Sequence, residues 1–428
     1  MSINRIKRYI KEAGWFTTGQ IASFLGSMLL VRLLTEQLDP AQYGKMSLGL
    51  TVGGMLNGVI MGGVINAIGR YYSISAERQG LGEYMYSIRR ILFYATLVSV
   101  VISMLFIMAL LWLGYSKWIV LSAASFVYSI LSAHNGALSS IQSAARQRSI
   151  VAFHGTLDAW LKIGLALLVM FWLGNSSTAV LIGFSCSSLI TILSQLVFLR
   201  RTTTLMQEQK FTKNHKLTEQ MWAYSLPFAI WGIFGWAQQS SARWALEAFA
   251  TTKNVGLYSV VSQLGYTPIQ IVTSTGLAFI SPIIFERIGD ASSVVRNYKV
   301  RELMNKMVIL GLGLTALAVF TTAIFHSYIF HLFVSKSFFS VSYLLPFCVL
   351  AGGIFSVAQL YASRVMALLK PQKIIPASIG SSIIGISAAF VGTYYFSLAG
   401  AVFSMVVHAI SYFLWIFITA RSIDKQEL

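Results

Sequence analysis

The chain has 428 residues, of which 56% are hydrophobic and 11% charged, and a formal net charge of +18. Ordinary soluble domains are less apolar and carry about twice that share of charge, so the composition excludes a water-soluble enzyme and makes lipid the main solvent. The basic excess does not point to nucleic acid, because no polar domain exists on which the lysines and arginines could cluster.

Apolar runs predict helices near 13–34, 45–69, 91–113, 118–142, 150–173, 177–199, 221–249, 255–283, 303–325, 340–366, 374–397 and 399–420. A spanning helix needs about 20 apolar residues, so twelve spans use up the chain. The first residues hold Arg5, Lys7, Arg8 and Lys11, and no small-residue cleavage site follows them. That pattern predicts a retained first helix behind a short amphipathic segment on the membrane surface. Cys186 and Cys348 both sit inside apolar runs and read as small buried hydrophobes, with no disulfide framework or metal site.

With the N-terminus placed inside, 25 of the 32 Lys and Arg fall in cytoplasmic segments. Lys45, Lys117, Lys253 and Lys336 fall outside, and Arg32, Lys162 and Arg243 lie within helices. The positive-inside rule accepts this alternation and places both termini in the cytoplasm. The longest polar connection then divides an N-terminal six-helix bundle, 1–200, from a C-terminal one, 221–428, with 201–220 as a basic cytoplasmic linker. The halves echo each other. Leu-Thr-Glu-Gln-Leu-Asp-Pro-Ala-Gln-Tyr-Gly44 follows the first helix and Thr-Thr-Lys-Asn-Val-Gly256 the seventh, while Ala145-Arg-Gln-Arg148 and Leu369-Lys-Pro-Gln-Lys373 precede helices five and eleven. Six helices per repeat preserve orientation, so the bundles should be parallel repeats about an axis along the membrane normal.

The six-plus-six arrangement, the Asp-Pro-Ala-Gln-Tyr-Gly turn, the Val-Gly-Leu-Tyr-Ser turn and the Ala-Arg-Gln-Arg entry to helix five resemble one family over essentially the whole chain. It is the polysaccharide transporter branch of the multidrug/oligosaccharidyl-lipid/polysaccharide (MOP) superfamily, typified by the O-antigen (Wzx-like) flippases. The resemblance implies an all-α membrane protein of MATE-like fold, a V-shaped pair of six-helix bundles. It also implies a bacterial inner-membrane flippase that moves undecaprenyl-diphosphate-linked oligosaccharide from the cytoplasmic to the periplasmic leaflet by alternating access. An H+ or Na+ gradient would drive it, no cofactor is expected, and a polysaccharide polymerase and chain-length machinery are possible partners beside the membrane lipids.

A charge inside a bilayer costs about 3 kcal/mol or more, so each such group should face a bundle interior or a cavity. Arg32 lies twelve residues before Gly44 and Arg243 thirteen before Gly256. At corresponding places in two repeats they would face each other across a central cleft and hold a diphosphate with their planar donor forks. Snorkelling to the outer headgroups is the plainer alternative, and Glu247, four residues after Arg243, offers it a partner.

His154, Asp158 and Lys162 share one face of helix five. They read either as a neutralised Asp158–Lys162 stripe or as an ion-coupling relay, with His154 titrating near neutrality and Lys162 adding positive charge for the diphosphate. Gln20, Asn57, Gln239 and Gln263 are candidate cavity-lining groups beside Asn66, Gln238 and Gln270, or else polar contacts between helices. Trp236, with Trp231 and Trp244, could stack on sugar rings or serve as core aromatics. Gly54, Gly58 and Gly62 suggest a close helix seam, and Pro227, Gly265, Pro268 and Pro282 suggest bends in helices seven and eight.

Cations outnumber carboxylates within the spans, which fits an anionic passenger better than the cationic drugs of a multidrug antiporter. A membrane-embedded polymerase or glycosyltransferase would need paired carboxylates on a sizeable outer loop, which the chain lacks. No Gly-x-x-x-x-Gly-Lys-Ser/Thr loop is present for ATP.

Overall fold

The computed structural model describes residues 3–78, 80–203, 215–288, 293–368 and 370–426, and every element in them is helical. The order is α1 (Ile3–Gln37), α2 (Pro40–Glu77), α3 (Leu81–Trp112), α4 (Ile119–Ala144), α5 (Arg148–Leu173), α6 (Ser177–Thr203), α7 (His215–Phe249), α8 (Thr252–Ile288), α9 (Val294–Phe333) and α10 (Leu345–Ala367). A last helical stretch, Ile375–Gln426, breaks at Ser397, whose φ of 50° and ψ of −128° are not helical; α11 precedes the break and α12 follows it. These are the twelve helices that the apolar runs predict. Among the described residues nine stretches are long and apolar enough to cross a membrane, the one broken at Ser397 counted once.

Two helix starts follow from the repeated turns. Asp39 Oδ1 accepts the Gln42 amide (2.7 Å) and Thr251 Oγ1 the Asn254 amide (3.2 Å), so each side chain caps the free N–H groups of a new helix. Pro40, at the first helical position of α2, loses no hydrogen bond there. In both helices a glycine stands five residues after the cap, Gly44 and Gly256.

Packing divides the chain into one unit of Met1–Leu30 with Lys45–Trp236 and a second of Val31–Gly44 with Ala237–Leu428. The division therefore falls inside α1 and α7, not at the expected linker; of that linker, 204–214 lie outside the described residues and 215–220 already belong to α7. Side chains and glycines give the reason. In the first unit the start of α7 lies along α2: a Cβ on Gly232 would overlap the Gly58 carbonyl, one on Gly63 would come within 2.5 Å of the Ser225 carbonyl oxygen, and the Trp236 indole N–H donates to the Thr51 carbonyl (2.8 Å). The small-residue seam thus exists at Gly58, while a Cβ on Gly54 would sit 4.0 Å from Trp236 and one on Gly62 would meet only the Asn57 carbonyl of its own helix. Within α2, residues Leu56–Met61 wind as a π-helix, a wider turn that changes the face the helix presents before and after it.

The core of the first unit gathers Met61, Ile68, Tyr84, Ile91, Ala137 and Met221, with the Tyr84 hydroxyl donating to the Ile68 carbonyl (2.7 Å). The core of the second gathers Ile284, Met304, Tyr361, Val365 and Ile416. Three of the contacts that join segment Val31–Gly44 to this second unit involve its turn and the residues before it. Gly44 packs on Gly256, Tyr43 meets the Phe338 ring edge-on at 5.7 Å, and Thr35 Oγ1 accepts the Ser335 amide (3.2 Å).

Candidate functional site

The second unit holds a polar cavity of about 160 Å³. Helix α7 supplies Gln238, Gln239 and Arg243, the last two one turn apart on one face, and α8 supplies Tyr258, Gln263 and Tyr266. Helix α12 adds Ser404 and His408. Arg243 is steadied from three sides: Nε donates to Ser259 Oγ (3.3 Å), Nη1 donates to the Gln239 carbonyl (3.1 Å), and the guanidinium stands over the Tyr258 ring at 5.8 Å. Glu247 does not pair with it; its carboxylate accepts the Thr252 hydroxyl instead (3.1 Å). No carboxylate among the described residues forms an ion pair with Arg243 or lines the cavity. The guanidinium retains donors and an uncompensated charge that suit a phosphate or another oxyanion.

His408 is a member of this site that the sequence reading passed over. Its Nδ1–H donates to the Ser381 carbonyl (3.0 Å), and the ring packs beside Phe355 and Tyr412, at 5.8 and 6.5 Å. With Nδ1 occupied as a donor, Nε2 is the nitrogen at which the ring gains or releases a proton. An ionisable residue in the middle of an apolar run is the signal that could have found it.

Arg32 takes a different place. It pairs with Glu36 (2.6 Å), and Nη1 donates to the carbonyls of His331 (3.3 Å) and Val334 at the end of α9. Carbonyls there have no partner within the helix, so a basic side chain caps them and meets the negative end of the helix dipole. Arg32 and Arg243 therefore stand in the same unit in unlike surroundings, not opposed from two bundles. The offset explains this. With the caps Asp39 and Thr251 aligned, Arg32 corresponds to Trp244, one residue from Arg243, and one residue turns a helix by about 100°.

On α5, Lys162 and Asp158 form an ion pair (2.5 Å), with Lys162 Nζ 5.4 Å from the centre of the Tyr128 ring. Asp158 Oδ1 also accepts from Ser187 on α6 (3.1 Å). His154 donates from Nδ1 to the Ile150 carbonyl (2.9 Å), and its Nε2 meets the Ser194 hydroxyl (3.1 Å). Each member of the stripe thus has its own partners, and His154 and Asp158 share no hydrogen bond. Asn57 donates to Ser129 (2.9 Å), a contact between α2 and α4. Of the remaining candidates, Gln239 and Gln263 line the cavity, whereas Gln20 is a half-buried residue of α1 and Trp236 belongs to the α2–α7 seam.

The fold and its apolar helices define a multi-pass, all-α membrane protein. It is similar to the lipid II flippase MurJ in an inward closed conformation, with a TM-score of 0.71 at 11% identity over 98% of this chain and 90% of that one. It is also similar to a multidrug resistance MATE family transporter, inward-facing (0.66, 14% identity, 95% and 96% covered) and outward-facing (0.63, 15%, 97% and 96%). Residues 9–288 match the family described as polysaccharide biosynthesis protein, and the chain belongs to that family. No curated protein matches it.

Proposed function

We propose that the chain is a flippase that turns undecaprenyl-diphosphate-linked oligosaccharide, an O-antigen or related repeat unit, from the cytoplasmic to the periplasmic leaflet of the bacterial inner membrane. The observation that carries this reading is Arg243, a carboxylate-free guanidinium in a cavity whose other polar groups are amides, hydroxyls and an imidazole. Such a lining suits a diphosphate next to sugar hydroxyls, since each offers donors and acceptors without competing negative charge. We assign the diphosphate to Arg243, with Gln239 and Gln263 beside it. Arg32 is assigned to capping α9, and Lys162 to neutralising Asp158. Translocation by alternating access, coupled to H+ or Na+, belongs to the same proposal, with His408 preferred to His154 and Asp158 as the group an ion would reach.

Membership of a polysaccharide biosynthesis family and likeness to a flippase named for a lipid-linked substrate support this reading. Likeness to multidrug transporters supports a cation-coupled drug antiporter instead, but a cavity for cationic drugs should display carboxylates. The test is Arg243→Ala in cells. Normal protein levels, loss of surface glycan and lipid-linked repeat units retained in the cytoplasmic leaflet are expected. Intact surface glycan together with lost resistance to cationic dyes would overturn the proposal in favour of the antiporter.

A further inference from the structure

A second cavity in the same unit, of about 430 Å³, has the opposite chemistry. Helices α8 and α9 both pack closely on α10 but scarcely touch each other, which leaves a trough between them floored by Gly353, Ser356 and Val357. Its volume falls in the range of about 300–1,000 Å³ usual for ligand pockets. The few polar atoms in it are occupied: the Thr273 hydroxyl is bonded to the Ile269 carbonyl (2.8 Å) and to Ser356 Oγ (2.6 Å), and the Thr315 hydroxyl donates to the Gly311 carbonyl (2.8 Å). A head group would find no partner there, whereas a hydrocarbon chain would.

The two cavities are lined by successive stretches of one helix. Tyr266 and Thr267 of α8 line the polar cavity around Arg243, and Pro268 and Ile269, the next two residues, line the trough. A ligand anchored at Arg243 by a charged head thus lies against the same helix, α8, whose next residues line the apolar trough. We infer that the trough between α8 and α9 holds the isoprenoid chain of the lipid-linked substrate while its diphosphate sits at Arg243. This rests on the diphosphate reading of Arg243 and adds the seat of the tail. A chain passing from bilayer to trough gains no hydrophobic burial, so its binding comes from close packing.

Gly276 provides the test, because it lines the trough and a Cβ there would meet nothing within 4 Å. Gly313 on α9 is equally unobstructed but does not line the trough. The full chain, in vesicles of phosphatidylethanolamine and phosphatidylglycerol, is photolabelled with a sugar-free isoprenoid diphosphate bearing a diazirine in its chain. Expected are cross-links at Val272, Leu310 and Leu314 that unlabelled isoprenoid diphosphate displaces. They should fall roughly fivefold, about 1 kcal/mol, in Gly276→Phe and in the smaller Gly276→Leu, and persist in Gly313→Phe. Unchanged labelling in both Gly276 variants would overturn the inference. So would equal labelling by a photoreactive phosphatidylglycerol that isoprenoid diphosphate does not displace, the result for an ordinary bilayer lipid. Arg243→Ala separates the two readings: if it leaves diphosphate affinity intact, the head-group assignment fails, whereas unaffected labelling in the Gly276 variants beside weakened Arg243→Ala binding removes the trough alone.

Discussion

Gly44 and Gly256, the glycines five residues into two repeated turns, pack backbone against backbone. A Cβ on Gly44 would overlap the Thr252 carbonyl oxygen and lie 3.0 Å from the Gly256 amide nitrogen, and a Cβ on Gly256 would overlap the Pro40 carbonyl. Each helix start therefore rests on the other repeat's helix start, with both glycines required by the other's proximity rather than by an unusual φ.

Substituting either glycine by alanine should cost about 1–3 kcal/mol, because the overlap is with backbone that cannot turn aside. Gly54→Ala, whose Cβ would sit 4.0 Å from Trp236, should be neutral. Thermal unfolding in detergent measures the contrast, and equal melting temperatures for Gly256→Ala and Gly54→Ala would contradict it.

Arg32 and Arg243 should separate by assay. Arg32→Met removes the cap on α9 and should lower stability by about 1 kcal/mol while leaving diphosphate affinity unchanged. Arg243→Lys keeps the charge but loses the planar fork, and should weaken isoprenoid diphosphate binding by about tenfold, on the order of one charge-assisted hydrogen bond, with little change in stability. Reversal of the two patterns would show that the roles are exchanged.

The Asp158–Lys162 pair should behave as a structural unit. Lys162→Ala leaves a largely buried carboxylate without its cation and should cost about 3 kcal/mol, whereas Asp158→Leu with Lys162→Leu should recover most of that loss. Normal glycan assembly in the double variant confirms the structural role; a folded double variant with no transport would restore the ion-relay reading.

Trp236→Phe keeps the ring between α7 and α2 but deletes the N–H bound to the Thr51 carbonyl. A loss of about 1 kcal/mol is expected, read as a lower melting temperature with surface glycan retained. Retained stability but lost glycan would instead place this indole at the sugar.

Helix positions were legible because hydropathy acts within each segment, and the repeated turns were legible because caps are local: Asp39 and Thr251 needed only residues three further on. What failed depended on packing between distant segments. Counting back from the glycines placed Arg32 opposite Arg243, yet a one-residue offset put them on different faces, and nothing local announces that the end of α9 needs a cation from α1. The linker marked a change of composition, whereas packing divides the chain where α7 leaves α2 near Trp236. His408 was overlooked because one histidine within a long apolar run lowers its mean hydropathy little; its place beside Arg243 exists only once α12 folds back against α8.

The wide turn Leu56–Met61 in α2 sets a phase relation between the two ends of that helix. Removing one residue from it would restore ordinary winding and swing everything upstream by about 100°. Gly49 and Gly53 would then no longer meet Ser125, nor Thr51 the Trp236 indole. Length in this stretch is thus as strictly constrained as identity, and a single-codon deletion there should be more damaging than most substitutions of the same residues.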